Sequence, residues 1–105
     1  MTTQTEDRTC NGWTNYETWV TALWMDNEEY TQEIQQAWKR QAIATPKNEV
    51  WTKEETERFT LADIIKDYVE ENNPLASDAS MYSDLMRAAI QEVNWQEIAD
   101  SILSG

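Results

Sequence analysis

Residues 11–25, Asn-Gly-Trp-Thr-Asn-Tyr-Glu-Thr-Trp-Val-Thr-Ala-Leu-Trp-Met, constrain the fold of this chain more than any other stretch. Thr14 and Glu17 have the spacing of a capping box, in which a threonine hydroxyl and a glutamate carboxylate each accept from the other residue's amide. Apolar residues then fall at Tyr16, Trp19, Val20, Leu23 and Trp24, one wide helical stripe. The pattern predicts a first helix over 15–25, with Trp13 stapled against Thr18 or its neighbours and the aromatic stripe turned into a core. Each such side chain contributes roughly 1.5–3 kcal/mol when buried. Ligand stacking on the tryptophans is the minority reading.

The rest of the chain reads the same way. Asn27 is the next N-cap, with Glu28 and Glu29 in the following first turn. A second helix over 28–43 carries Tyr30, Ile34, Ala37 and Trp38 on its inner stripe, which Gln41 and Ala42 extend. Pro46 ends it, and Val50 and Trp51 are expected to anchor the loop into the core. Thr52 and Glu55 form a second capping box. The helix they open runs over Lys53–Glu71, with Leu61, Ile64, Ile65, Tyr68 and Val69 inward and i,i+4 ion pairs Lys53–Glu57 and Glu54–Arg58. Asn72-Asn73-Pro74 ends it. Ser77 or Ser80 caps a fourth helix that turns Tyr82, Leu85, Met86, Ala89, Ile90 and Val93 to one face. Asn94, with Glu97 as its capping partner, opens a fifth on Trp95, Ile98, Ala99, Ile102 and Leu103. Two glycines and two prolines in 105 residues disfavour a turn-rich β fold, and no strand is expected. The prediction is all-α: a flexible N-terminal tail over 1–11, then a single compact bundle of about five helices over 12–105.

Composition excludes several functions. There is no histidine, which removes the Ser/His/Asp and Cys/His catalytic arrangements and the usual zinc sets. One cysteine, Cys10, forms no intramolecular disulfide. No apolar run approaches the ~18 residues of a membrane span, and the polar start is not a signal peptide, so the cytoplasm is the expected compartment. Twenty acidic residues face eight basic ones, a formal charge of −12. Such a surface repels nucleic acid and anionic membrane and attracts basic partners.

The run Gly12-Trp-Thr-Asn-Tyr-Glu-Thr-Trp19, followed by Leu23-Trp-Met-Asp-Asn27, together with Val93-Asn-Trp-Gln-Glu-Ile-Ala99, resembles a family of small uncharacterised proteins of bacteriophages, plasmids and some bacterial and archaeal genomes. The resemblance covers the two ends, about a quarter of the chain. It brings no activity; it implies a mobile-element setting, in which small acidic proteins often blunt host defences.

The acids cluster. Asp26, Glu28, Glu29 and Glu33 gather where the first two helices meet, and Asp63, Asp67, Glu70 and Glu71 follow helical spacing on the third. Like charges at that spacing repel by a few tenths of a kcal/mol per pair. A row of carboxylates on a rigid helix can imitate phosphates. These eight residues are the candidate partner-binding site. The function expected is a non-enzymatic inhibitor of a host defence system, of anti-CRISPR or antirestriction type, binding a basic nucleic-acid-handling protein. The alternative is an accessory protein of a mobile element whose charge serves solubility. Asp63 and Asp67, one turn apart, have the spacing of a Mg²⁺ pair, but no phosphate loop, EF-hand or nucleophile elbow accompanies them, so neither catalysis nor a cofactor is expected. The one basic cluster, Lys39, Arg40, Lys47 and Lys53, is too small for direct nucleic-acid binding. Six tryptophans exceed what so short a chain readily hides, which leaves a homodimer open.

Overall fold

The computed structural model describes residues 8–105; of the expected tail, residues 1–7 lie outside them. Five helices follow in order: α1 Tyr16–Asn27, α2 Glu29–Ala44, α3 Lys53–Glu71, α4 Met81–Glu92 and α5 Trp95–Ser104. The described residues form no strand beyond an isolated Cys10–Trp13 bridge, and the architecture is the expected all-α bundle. That bridge closes a turn in which Asn11 and Gly12 both have positive φ, 49° and 88°. Asn-Gly takes that left-handed pair readily. The turn sends Trp13 against the core, where it borders Ala22 and Met25 of α1.

α3 is the central helix. It lies between α2 and α5, and its Leu61 and Ile65 are wholly buried. The core adds Met25, Trp38, Ala42, Val93, Ile98 and Ala99. Both partners of the Thr52–Glu55 capping box are made, and Ser80 rather than Ser77 opens α4. Lys53 pairs with Glu57 at 3.3 Å as expected. Arg58 reaches Asp100 of α5 at 3.9 Å instead of Glu54. Val50 is fully at the surface, and Trp51 holds the loop only through an edge contact with Phe59, ring centroids 4.8 Å apart.

The start of α1 departs from the sequence reading in an informative way. Asn15, not Thr14, is the N-cap, and its Oδ1 accepts from the Thr18 amide at 2.9 Å. The same oxygen accepts from the Thr18 hydroxyl at 2.6 Å, while Asn15 Nδ2 donates to the Glu92 carbonyl at 2.7 Å. The Asn94 amide donates to Thr18 Oγ1 at 2.9 Å across 76 residues of chain. Asn94 Oδ1 caps the Glu97 amide, but the Glu97 carboxylate takes the Thr14 amide at 3.0 Å. The starts of α1 and α5 thus cap each other. The two terminal segments that stood out in the sequence are the two halves of one clasp.

That clasp fixes which way α1 faces. Its buried residues are Thr18, Ala22 and Met25. At about 100° per residue, this face lies roughly 170° from the middle of the Tyr16–Val20–Leu23–Trp24 stripe. The stripe expected in the core points away from it: Tyr16 is 57% and Trp24 64% exposed. Small Thr18 and Ala22 allow close approach to neighbouring backbone, and Thr18 satisfies its hydroxyl in the clasp. α2 keeps Trp38 and Ala42 inward, with Ile34 packed on the core, and turns by only about 70°. Thr31, Gln35, Trp38 and Ala42 are buried, and Tyr30 is exposed. α4 leaves Tyr82, Leu85 and Met86 exposed and buries Ser83, while Ile90 is half-buried and Val93, just past its end, joins the core as expected.

Candidate functional site

α2 and α3 run antiparallel. At one end, Lys53 Nζ donates to the Ile43 carbonyl at 2.5 Å. At the other, Glu28 and Thr31 share a groove wall with Tyr68 and Asn72. The α1–α2 corner therefore adjoins the end of α3. Of the two sequence-predicted acidic groups, Glu28 is the member brought beside the end of α3, while Asp26 borders Trp13, Ile98 and Ser101 toward α5. Asp26, Glu28, Glu29 and Glu33 stay one group at the corner and Asp63, Asp67, Glu70 and Glu71 another on α3. All eight are exposed. None forms an ion pair among the described residues, where the pairs are Lys53–Glu57, Arg58–Asp100 and Arg87–Asp84.

On α3, Asp63, Asp67 and Glu70 fall within about 60° of one another, opposite Leu61 and Ile65. From Asp63 to Glu71 the axis rises about 12 Å, so four carboxylates give one charge per ~4 Å. A single DNA strand carries one per ~3.4 Å. Lys66 is the cation among them and offsets one charge.

The corner is held by polar side chains. The Thr31 hydroxyl donates to the carbonyls of Met25 at 2.6 Å and Glu28 at 2.9 Å. Gln35 Nε2 donates to the Met25 carbonyl at 3.2 Å, and Gln32 Nε2 to that of Asp26. α2 thus satisfies the last carbonyls of α1, which have no partner within their own helix. Buried Thr31 and Gln35 are polar for this reason, and they fix the backbone that carries Asp26, Glu28 and Glu29. Glu28 is the N-cap residue of α2 by position but makes no side-chain cap bond.

Lys39, Lys47 and Lys53 of the expected basic cluster lie toward the opposite end and have local partners. Lys39 Nζ donates to the Gly105 carbonyl at 3.0 Å, and Lys47 Nζ to that of Asn48 at 3.2 Å. The sequence-level basic cluster is therefore engaged largely with carbonyls near helix and loop ends. Among the described residues, no three acidic or cysteine side chains converge as a metal site needs. No helix there is long and apolar enough to cross a membrane.

A second feature escaped the sequence reading. An apolar groove runs between α1 and α4 over Val69 of α3, lined by Trp24, Met86 and Ile90. The signal available was that α1 is apolar on two sides, of which only one can face the core.

A family model described as "Family of unknown function (DUF7249)" matches residues 6–102. No curated protein and no solved structure matches the chain.

Proposed function

The chain belongs to this family of unknown function, and we propose that it is a binding protein, not an enzyme, whose acidic end seats in a positively lined cleft of a nucleic-acid-handling protein in place of a polynucleotide. One observation carries the reading: eight carboxylates, exposed and outside the ion pairs of the described residues, stand in two groups, one on a hydrogen-bonded corner and one on the outer flank of α3. Carboxylates on a fixed backbone meet rows of Lys and Arg at a lower ordering cost than carboxylates on a flexible tail. A chain carrying −12 also speeds encounter with a cationic partner. In its specific form the protein is a phage- or plasmid-borne inhibitor of host defence, of anti-CRISPR or antirestriction type; the family resemblance of the terminal segments supports that setting. Acids outside the cluster, such as Glu49, Asp78 and Glu92, are exposed too. They favour a second reading, in which the charge serves solubility alone.

The test is capture from a nuclease-treated host lysate on immobilised protein. The proposal expects a bound protein that duplex DNA releases, that added salt weakens, and that the variant with Asp63, Asp67, Glu70 and Glu71 changed to lysine fails to capture while keeping its helical spectrum. Capture indifferent to DNA and to charge reversal overturns it.

A further inference from the structure

The least satisfied surface of the molecule is apolar. Among the helices, the backbone of α4 approaches α1 alone. Its Leu85 is 61% exposed, facing solvent with Tyr82 and Met86. Between α4 and α1 lies a cavity of about 280 Å³, bounded by Trp24 and Glu28. It continues into another of about 310 Å³, bounded by Tyr16 and Glu17. Thr21, Val69, Met86 and Ile90 line both. Two hollows in line suit successive side chains of an extended or helical segment better than one compact ligand. Contiguous exposed apolar surface rimmed by polar groups marks an interaction site.

Charge identifies the occupant. Glu28 lines one hollow and Glu17 the other, and no Lys or Arg lines either. In the hollow next to them Glu70 stands opposite Arg87, and Arg87 is paired with Asp84 at 2.9 Å. The geometry points to an amphipathic helix of a basic partner, seated with its apolar face in the α1–α4 groove and with Lys or Arg flanking it against Glu17 and Glu28. A second copy of this chain brings another −12 to the same acidic rim. Anionic lipid and nucleic acid are repelled likewise. A helix laid in a groove uses anchors at i, i+3, i+4 and i+7. Met86 adapts to the shape of such anchors, and Trp24 offers a broad face with little entropy to lose. The inference goes beyond the acidic-end proposal and does not rest on it: Glu28 borders both surfaces, but the binding here comes from the apolar groove and not from the α3 carboxylates.

Fluorescence anisotropy with a labelled helical peptide of about five turns, leucine and tryptophan on one face and lysine on the other, tests it. A peptide of the same composition in scrambled order controls for charge. The facial peptide is expected to bind at least about tenfold more tightly than the scrambled one. Trp24→Ala and Met86→Asp are each expected to abolish that preference. Trp24 is exposed, so its variant tests the groove even if Met86→Asp unfolds α4. Changing Asp63, Asp67, Glu70 and Glu71 to lysine weakens both peptides but leaves their ratio, which separates this inference from the acidic-end reading. Equal binding of the two peptides, a preference that survives Trp24→Ala, or light scattering that shows a dimer dissociated by Trp24→Ala overturns it.

Discussion

Removing the Asn15 side chain should cost this protein far more than removing Thr14, although the sequence gives Thr14 the better capping pattern. Asn15→Ala deletes an N-cap, worth about 1 kcal/mol and up to ~2. It also strands the Glu92 carbonyl, which accepts from Asn15 Nδ2 at 2.7 Å. An unsatisfied buried acceptor costs about 1–3 kcal/mol, and the lower half applies here because Glu92 is at the surface. The sum is about 2–4 kcal/mol, against the ~5–15 kcal/mol of a typical domain. Each kcal/mol moves the melting point of a domain this size by roughly 4–8 °C, so a drop on the order of 10–25 °C is expected. The hydroxyl of Thr14 meets only a long 3.5 Å contact from Asn94 at the surface, and Thr14→Ala should stay within ~0.5 kcal/mol. Thermal melts by circular dichroism and urea titration with a shared slope give both values. Equal losses, or a larger loss at Thr14, would refute the clasp as the device that orients α1.

Other consequences follow from the same contacts. Thr52→Ala removes a made capping box and should cost about 1 kcal/mol in urea unfolding. Leu61→Ala opens a cavity at a wholly buried site on the central helix and should cost about 2–5 kcal/mol by the same assay. Trp24→Ala, by contrast, should leave stability within ~0.5 kcal/mol, since the indole is spent on the groove and not on the core. Unpaired like charges make the folded chain repel itself, so the melting point should rise between low salt and about 0.5 M salt. The variant Asp67→Asn, Glu70→Gln, Glu71→Gln should show a smaller rise.

The sequence made much of the fold legible because helix starts are local. Thr52, Ser80 and Asn94 cap as their spacing indicates, and the face of α3 follows from the period of Leu61, Ile64, Ile65 and Tyr68. The facing of α1 was not legible. Periodicity reports spacing, not which partner a stripe meets. Thr18 is wholly buried because its hydroxyl bridges Asn15 and Asn94, and the second of those lies at the far end of the chain. Thr31 and Gln35 look like solvent positions until the carbonyl of Met25 is placed beside them. The exposure of the candidate acids could be read from helix phase on α3. That the end of α3 lies beside Glu28 needed the antiparallel pairing of α2 with α3, which no local pattern encodes. The groove was hidden by the assumption that aromatic residues at helical spacing are core.

Amide chemical shifts recorded while a short oligolysine peptide is titrated into the protein test most directly whether the negative charge works as one surface. Perturbations confined to residues 26–33 and 63–71 are predicted, fading together as salt is added. Shifts of similar size at Glu49, Glu54, Asp78 and Asp100 would contradict it.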